Sequence, residues 1–531
     1  MKAYSFGKKS LLAITSLLHA ATAVIDILAV SYLGKIIDYA TSGNMQLMLR
    51  NMIYAGTATV LSLTIFISSI QMHLKYVSDG VLVTKRAILK SMFHRSLISF
   101  RGKNDAYYMN LLNSDINLLR DDRLFQAPYL LYSLILVVCA AAFLLRSNIW
   151  LFAATLIRAL LPLLTTNLFT KGAQKRKRAL SNENEHYTNA LKEAIEGYET
   201  IRMGSDLEAF FLAFNEVSRR QQRAYSKSRI FNAINYNAMR MIGSFLLMGC
   251  VGLGGYLIIR GEVTTGQLLS AIFLMNYVSD GINNFIEGLV SVRSAKPIAE
   301  KLRTEIETRD ASYDDGKISG DATIEFEKMT FAFGDRILYS DFSYTFRKGG
   351  CYAIIGESGC GKSTLTKLIL KYYDDYSGRI RVCGRDIRTI PEQELYAVVG
   401  LVNQTPFLFN APMYENIVLY GNEPAKDSEA YVRLLQELNL TALAERVGDS
   451  SLGDFGDNIS GGERQRICIA RAIRRHPQIL IFDEPTTGLD PENRSMINEF
   501  IFRHSDVTRI VVSHDWSKEY LERFDGVIRV G

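Results

Sequence analysis

Long apolar blocks fill the first half of the chain, and short apolar runs fill the second half. Six blocks reach or approach the roughly 20 residues that a helix needs to cross a bilayer. They are residues 11–34, 52–72, 124–145, 149–170, 241–259 and 263–279. Lipid offers no hydrogen-bond partners to backbone N–H and C=O groups, and a helix satisfies these groups internally. We therefore predict a membrane α-helical bundle of six spans.

A different pattern begins near residue 322, where short β-like runs alternate with helical stretches. This alternation is typical of an α/β domain. The stretch just before it is charged and has no apolar block, as expected of a linker. We therefore divide the chain into a transmembrane domain at 1–295, a linker at 296–321 and an α/β domain at 322–531.

The positive charges predict how the bundle is oriented in the membrane. Residues 75–123 hold nine Lys or Arg and residues 171–240 hold thirteen, whereas the opposite connections hold four. Cytoplasmic loops carry the excess of positive residues, so we expect both termini in the cytoplasm and the bundle in the plasma or inner membrane. Both positive stretches are rich in helix formers, which predicts helices that continue from the membrane into the cytoplasm and turn back.

Composition excludes some classes of protein. The chain has 531 residues, 48% of them hydrophobic and 22% charged, which excludes a disordered chain and exceeds what one core usually organises. The net charge of +6 follows from the membrane orientation, so we expect no nucleic-acid partner. The six cysteines show no paired metal-binding spacing, which fits a reduced environment.

A phosphate-binding motif opens the α/β domain. Residues 356–364, GESGCGKST, fit the pattern G-x-x-x-x-G-K-[ST] and lie between an apolar run and a helical stretch. Glycines let backbone N–H groups close around phosphates, and the start of a helix adds a favourable dipole. Lys362 is expected to reach the β- and γ-phosphates and Ser363 to ligate Mg²⁺. The residues predicted to bind the nucleotide here are Gly356, Ser358, Gly359, Gly361, Lys362, Ser363 and Thr364.

An acidic pair follows a second apolar run. Residues 479–482, ILIF, end in Asp483 and Glu484. An Asp at the end of a strand beside a phosphate loop can hold Mg²⁺, and the next carboxylate can orient the attacking water. We therefore predict Asp483 as a metal ligand and Glu484 as the catalytic base.

The two halves together resemble a half-transporter of the ATP-binding cassette (ABC) family, of the six-span exporter type. The most specific mark is residues 458–466, NISGGERQR, which resemble the family signature LSGGQ-x-QR. Ile459 and Glu463 depart from that signature. The resemblance implies an α/β P-loop ATPase domain with a helical subdomain, with ATP and Mg²⁺ as cofactors.

Further site residues are implied by the same resemblance. Gln404 matches the Q-loop, which touches Mg²⁺ and senses the γ-phosphate, and His514 matches the switch histidine. Phe333 matches the aromatic residue that stacks on adenine, and Gly488 stands where the D-loop usually has Ala. The residues of the signature expected to face phosphate are Ser460, Gly461 and Gly462.

The resemblance also implies a dimer, because in this family the signature of one domain completes the phosphate-loop site of another. The partner is then a second half-transporter. A second copy of this chain is favoured over a different chain, since Glu484, His514 and the Ser-Gly-Gly of the signature are all present. Residues 109–116 resemble the first region that couples the spans to the ATPase, and residues 193–206 lead into the second.

The leading hypothesis for function is ATP-driven export of a small amphipathic molecule, a lipid or a peptide. The alternatives are an importer of exporter-like fold, with a siderophore-like substrate, and an ATP-gated channel or regulator. Glu484 and His514 favour a hydrolytic motor over the last of these. Polar residues within spans are functional candidates. We expect Asp26 and Arg158 to lie at similar depths and to pair if their helices adjoin.

Overall fold

The computed structural model divides the chain into two compact units. It describes residues 6–204, 207–308, 320–334, 336–357, 359–421, 424–426 and 428–530. The helical unit comprises Met1–Ser91 and Asp105–Thr308. The α/β unit comprises Met92–Asn104 and Arg309–Gly531.

Nearly all of the chain before residue 308 is helical. The helices are α1 Lys9–Thr41, α2 Met45–Phe93, α3 Leu97–Arg101, α4 Asp105–Asn110, α5 Ile116–Leu118, α6 Ala127–Ser147, α7 Ile149–Glu196, α8 Tyr198–Gly204, α9 Leu207–Ile259, α10 Thr265–Ser294 and α11 Lys296–Glu307. Two π-helical turns, Leu111–Asp115 and Leu119–Leu124, join α4, α5 and α6 into one stretch.

The predicted spans lie in α1, α2, α6, α7, α9 and α10. Within the described residues, four helical stretches are long and apolar enough to cross a membrane, namely Lys9–Thr41, Met45–Phe93, Tyr107–Ser147 and Leu207–Ile259. Only 11% of the most apolar window of α2 is buried within the chain. Its apolar side chains therefore point away from the protein, as expected when lipid is the solvent. The predicted helical membrane domain is confirmed, and four of its six predicted spans lie in these stretches.

Three helices are much longer than a bilayer is thick. Helices α2, α7 and α9 have 49, 48 and 53 residues, which corresponds to about 75 Å at 1.5 Å per residue. A hydrocarbon core is only about 30 Å thick. The positive stretches of the sequence thus form continuations of the spans, as predicted.

Helices α1 and α10 approach each other at two glycines. A Cβ on Gly34 would lie 2.6 Å from the carbonyl oxygen of Gly266, and a Cβ on Gly266 would lie 2.0 Å from that of Gly34. Asp38 fixes the crossing, because its carboxylate accepts hydrogen bonds from the Gly266 N–H and the Thr264 hydroxyl, both at 2.8 Å. By contrast, an added Cβ at Gly252 of α9 would meet nothing within 4 Å.

The α/β unit contains two sheets and several short helices. Its elements are β1 Ile324–Phe333, β2 Arg336–Phe346, β3 Cys351–Gly356, α12 Lys362–Ile369, β4 Ser377–Val382, β5 Arg385–Asp386, α13 Glu392–Val398, β6 Val399–Val402, α14 Met413–Val418, α15 Glu429–Glu437, α16 Thr441–Val447, α17 Gly461–Ile473, β7 Ile479–Asp483, α18 Pro491–Arg503, β8 Thr508–Val512, α19 Lys518–Leu521 and β9 Gly526–Val530.

The larger sheet of this unit has five parallel strands. Their order is β6-β7-β8-β3-β9. Strands β3 and β8 are buried along their whole length, because a parallel sheet is covered on both faces and reads as an apolar run. The smaller sheet is antiparallel, in the order β2-β1-β4-β5. The predicted α/β domain is thereby confirmed.

The structure differs from the predicted linker at 296–321. Residues 296–307 form helix α11, which belongs to the helical unit, because Ala299 and Leu302 are buried there. The Ser91 hydroxyl also donates a hydrogen bond of 2.6 Å to the Glu305 carbonyl. Residues 309–319 lie outside the described part of the chain.

The coupling region predicted at 109–116 is placed differently. Leu111 and Ile116 are fully buried, so this segment packs inside the helical unit. The loop segment that belongs to the α/β unit is Met92–Asn104, with helix α3 at its centre. The Leu97 N–H donates to both carboxylate oxygens of Glu392 at 3.2 Å, and Arg101 lies 4.5 Å from the ring centre of Tyr372.

The glycine crossing predicts the effect of one added methyl group. Gly34→Ala should destabilise the protein by about 1–3 kcal/mol, because the new Cβ would overlap backbone that cannot rotate away. Thermal unfolding of the purified chain in detergent measures this change. Gly252→Ala is the matched control and should cause no loss, since its Cβ meets open space. Equal melting temperatures for both variants would contradict the crossing.

Candidate functional site

The predicted metal-binding and catalytic residues gather with the phosphate loop at one edge of the parallel sheet. Strand β3 leads into the phosphate loop, residues 356–364, and β7 ends at Asp483 just before Glu484. Gln404 follows β6 by two residues, and His514 follows β8 by two residues. The carboxyl ends of parallel strands meet at the same edge, where open α/β sheets bind their ligands.

Two glycines shape the phosphate loop. Gly359 has a φ of +78° and Gly361 a φ of +110°, which residues with a side chain rarely adopt. Helix α12 begins at Lys362, directly after Gly361, so the free N–H groups of its first turn face the loop. Tyr339, buried under the loop, donates a hydrogen bond of 2.9 Å to the Gly361 carbonyl. Ser358 lies outside the described residues.

Lys362 lies across the loop instead of in solvent. The residue is buried, with only 5% of its surface exposed. Its Nζ donates to the carbonyl oxygens of Gly356 and Glu357 at 2.9 and 2.8 Å. A phosphate entering the loop supplies negative charge that can replace these two carbonyl contacts.

Ser363 and Asp483 form the part of the site that suits a hard cation. The Ser363 hydroxyl donates to the Asp483 Oδ1 at 3.2 Å, so two oxygen ligands of the kind Mg²⁺ prefers lie side by side. Burial raises the pKa of the Asp483 carboxyl above its ordinary value, and the Ser363 hydrogen bond opposes that shift. A bound cation would offset the unfavourable burial, so these residues fit Mg²⁺.

Glu484 is the centre of a three-residue cluster. Gln404 Nε2 donates to its Oε2 at 2.7 Å, and His514 Nε2 lies 2.7 Å from its Oε1. A carboxylate only accepts, so the proton in the latter bond belongs to the histidine. The Glu484 side chain is 9% exposed. These bonds fix the orientation of a carboxylate beside the phosphate loop.

The backbone of Glu484 is itself unusual. Its φ is +49°, in the left-handed region that a residue with a Cβ rarely occupies. Such strain persists where the surrounding structure enforces it, and it often marks a functional site. The Glu484 N–H donates to the Val512 carbonyl of β8 at 3.0 Å, which holds this conformation. Thr487, which no sequence motif marks, donates its hydroxyl to Glu484 Oε2 at 3.2 Å.

Phe333 lies at the end of β1 and is 63% exposed. Its ring is perpendicular to that of Tyr373, with 6.2 Å between the ring centres. An exposed aromatic face is what stacking on a planar base requires. Gly488 has a φ of +76°, a conformation that favours glycine over the alanine that is usual in the family.

The signature residues begin helix α17. Ser460 is the N-cap, and its hydroxyl accepts a hydrogen bond from the Glu463 N–H. Ser460 and Gly461 are exposed, whereas Gly462 is buried, and a Cβ there would lie 2.9 Å from the Asn493 side chain. Among the described residues, no hydrogen bond joins the signature to the phosphate loop. The chain therefore presents these two motifs separately.

Glu463 has a structural role in place of the usual glutamine. Its Oε2 accepts from the Ser460 N–H at 2.8 Å, which completes a capping box. Its Oε1 accepts from Arg446 at 2.8 Å. Burial acts to raise the pKa of Glu463, but the hydrogen bonds from Ser460 and Arg446 outweigh it and lower the pKa. Arg446 lies near the end of α16, one loop before the signature, and no sequence motif marks it.

Substitution of Glu463 tests this arrangement. Glu463→Ala should lower the free energy of unfolding by about 1 kcal/mol, since α17 loses one half of its capping box. Glu463→Gln keeps the cap and loses only the charged contact with Arg446. Thermal unfolding of the purified chain measures both variants. An unchanged melting temperature for Glu463→Ala would show that the cap contributes nothing.

The pH dependence follows from the lowered pKa of Glu463. A carboxylate with a lowered folded-state pKa adds stability above its unfolded value, here 4.5, and the contribution is lost as the pH falls through the folded-state pKa. The difference in the free energy of unfolding between wild type and Glu463→Gln should therefore narrow as the pH falls below 4.5. A difference that widens would contradict the assignment.

Comparisons with known proteins agree with the geometry. Residues 339–487 match the ABC transporter family, and residues 12–281 match the ABC transporter transmembrane region. The ABC multidrug transporter mdr2 of Aspergillus fumigatus is 29% identical over 60% of this chain and 41% of its own length. The ATP-dependent lipid A-core flippase of Syntrophus aciditrophicus is 30% identical over 62% of this chain and 55% of its own length.

The chain therefore spans about half the length of these two relatives. The solved structure of a bacterial Atm1-family ABC exporter with ATP bound has a TM-score of 0.77 and 20% identity, over 98% of this chain and 92% of that one. That likeness concerns the fold. The transmembrane match alone covers 270 of the 531 residues. This chain thus belongs to the ABC transporter family.

Proposed function

We propose that the chain is half of an ATP-driven exporter, in which hydrolysis of ATP at the edge of the parallel sheet powers transport through the helical unit. The observation that carries the proposal is the cluster of Glu484, Gln404 and His514 beside the phosphate loop. Family membership supports it, since the matched family implies ATP binding.

Glu484 acts as the general base in this proposal. A carboxylate has about four lone-pair sites, and Gln404, His514 and Thr487 use three of them. The remaining site can accept the proton of a water molecule as that water attacks the γ-phosphate. The histidine N–H holds the carboxylate in place and stabilises its charge.

Lys362 and the loop N–H groups bind the phosphates, and Phe333 stacks on adenine. Ser363 and Asp483 would hold Mg²⁺, with Gln404 near them. The ion would neutralise part of the phosphate charge. Each of these side chains is positioned by a strand end or a helix start, which favours a preorganised site.

A second copy of the chain completes each site. Ser460 and Gly461 are exposed, and within the described residues no hydrogen bond joins them to the phosphate loop. They are therefore available to a nucleotide held by a partner. Ser460 also begins a helix, whose free N–H groups attract an anion. Two copies provide two sets of Glu484, His514 and signature, which supports a homodimer.

The transport cycle follows from this arrangement. ATP joins the two α/β units and hydrolysis releases them, which alternates the exposure of a path between the spans. The chain lies in the plasma or inner membrane with both termini in the cytoplasm, as its charge distribution favours. The substrate is a small amphipathic molecule, a lipid or a peptide. ATP-dependent flux in sealed vesicles of known orientation tests export. Flux toward the cytoplasmic side would favour the alternative hypothesis of an importer.

Glu484→Gln should abolish steady-state hydrolysis and leave ATP binding intact. Loss of a general base reduces the rate by about 10²–10⁴-fold. Phosphate release and binding of labelled ATP measure the two effects on purified protein. Glu492→Gln, which removes an exposed carboxylate on α18, is the matched control and should hydrolyse ATP normally. Wild-type turnover in Glu484→Gln would exclude the proposed base.

Mixing two inactive variants tests the shared site. Lys362→Ala should weaken nucleotide binding and Ser460→Arg should block the signature, so each protein alone should be inactive. Co-expressed with different tags and purified as mixed dimers, the two chains assemble one intact site from the loop of one and the signature of the other. Restored hydrolysis is the expected result. Mixed dimers as inactive as either parent would contradict completion by a second copy.

A further inference from the structure

Arg158 places a positive charge deep within the membrane half. It lies on α7, nine residues after the helix begins at Ile149, which corresponds to about 14 Å along the helix axis. The hydrocarbon core is about 30 Å thick, so this depth is near the bilayer midplane. A charged side chain is costly there and marks a functional site unless a partner neutralises it.

The partners of Arg158 are neutral. Its Nη2 donates to the Asn276 Oδ1 at 2.8 Å and its Nη1 donates to the Ser279 Oγ at 3.2 Å, both on α10. The Ser279 hydroxyl donates its own hydrogen to the Met275 carbonyl at 2.9 Å, so it acts only as an acceptor toward Arg158. These two contacts fix the position of the guanidinium without cancelling its charge.

No carboxylate of the described residues forms an ion pair with Arg158. The partner predicted from the sequence, Asp26, instead accepts a hydrogen bond of 2.5 Å from Ser62 on α2. Asp280 is next to Ser279 on α10 and is exposed. The expected pairing of Asp26 with Arg158 is therefore absent from the structure.

Arg158 also retains unused hydrogen-bonding capacity. A guanidinium has five N–H donors, and Asn276 and Ser279 take two, which leaves three. The Nε atom is buried without a hydrogen-bond partner. The side chain as a whole is only half-buried, so a ligand can reach it. A planar fork of donors matches the oxygens of a phosphate or a carboxylate.

We propose that Arg158, oriented by Asn276 and Ser279, binds the anionic headgroup of an amphipathic substrate. The inference rests on the proposed transport function and names the substrate class of that function. The phosphate or carboxylate supplies a direct ion pair, which no described carboxylate forms with Arg158, and an apolar chain on the same molecule lies among the surrounding apolar helices. A free inorganic anion lacks that second contribution.

Probes that share one alkyl chain separate headgroup charge from hydrophobicity. The full-length protein is placed in phosphatidylcholine nanodiscs, with empty nanodiscs as the blank. Saturable binding of dodecyl phosphate, dodecyl maltoside, dodecyltrimethylammonium and inorganic phosphate is measured, together with the change in ATP hydrolysis. We expect dodecyl phosphate to bind most tightly and inorganic phosphate not to bind. Equal affinity for the three dodecyl probes would overturn the inference.

Three variants test the residue itself. Arg158→Gln should raise the dissociation constant for dodecyl phosphate by about tenfold or more, which is at least 1.4 kcal/mol. Arg158→Lys should retain part of the affinity, since it keeps the charge but loses the fork. Arg146→Gln is the matched control, because it removes an exposed arginine near the end of α6 and should leave binding unchanged. Wild-type affinity in Arg158→Gln would overturn the inference.

Asn276→Asp distinguishes ligand binding from a purely structural contact between α7 and α10. The new carboxylate would face the guanidinium at the position of the present amide oxygen and would neutralise it from within the chain. A structural contact would be strengthened and binding would stay unchanged, which would contradict the inference. A binding subsite would lose its affinity for dodecyl phosphate while the protein stays folded, even if Arg158→Gln does not fold.

The two proposals fail in different ways. If the wild-type protein binds dodecyl phosphate through Arg158 but does not hydrolyse ATP, the anion subsite stands and the motor is wrong. If the protein hydrolyses ATP but its affinity for dodecyl probes does not depend on headgroup charge or on Arg158, the motor stands and the subsite is wrong.

Discussion

The absence of water in the bilayer is the constraint on which this structure depends. Backbone groups in lipid must be satisfied within the chain, so the first half consists of continuous helices. The lipid interior offers few polar partners, and the proposed hydrolytic residues all lie in the α/β unit. Continuous helices of about 75 Å such as α2 and α9 extend well beyond the membrane. In the proposed transport cycle, these continuous helices connect the spans to the part of the chain outside the bilayer.

The α/β unit solves a different problem, which is to gather residues that are far apart in the sequence. Gln404, Glu484 and His514 are separated by 80 and 30 residues along the chain. Parallel pairing of β6, β7 and β8 brings their carboxyl ends to one edge, because each parallel crossover returns the chain to the same side. The strained backbone at Glu484 is tolerated because the strand hydrogen bonds around it leave little alternative.

The sequence was sufficient where a local pattern has one structural solution. Apolar blocks indicated the spans, and the run of glycines before Lys362 indicated a loop between a strand and a helix. Contacts between distant side chains left no such pattern. The capping of α17 by Glu463 and its ion pair with Arg446 depend on how α16 folds back. The choice of Ser62 over Arg158 as the partner of Asp26 depends on which helices adjoin, and depth alone does not determine that.

Three charged residues differ in how far the chain itself stabilises their charge. Glu463 is neutralised within the chain by Arg446 and by a helix start, so it requires nothing from outside. Glu484 is surrounded by donors that stabilise its charge and orient it toward an adjoining phosphate loop. Arg158 contacts two neutral acceptors among the residues that the structure describes, in a medium that screens charge poorly. A chain that needed only a structural contact at this depth could use a neutral side chain, so the guanidinium supports the proposed binding of an anionic substrate.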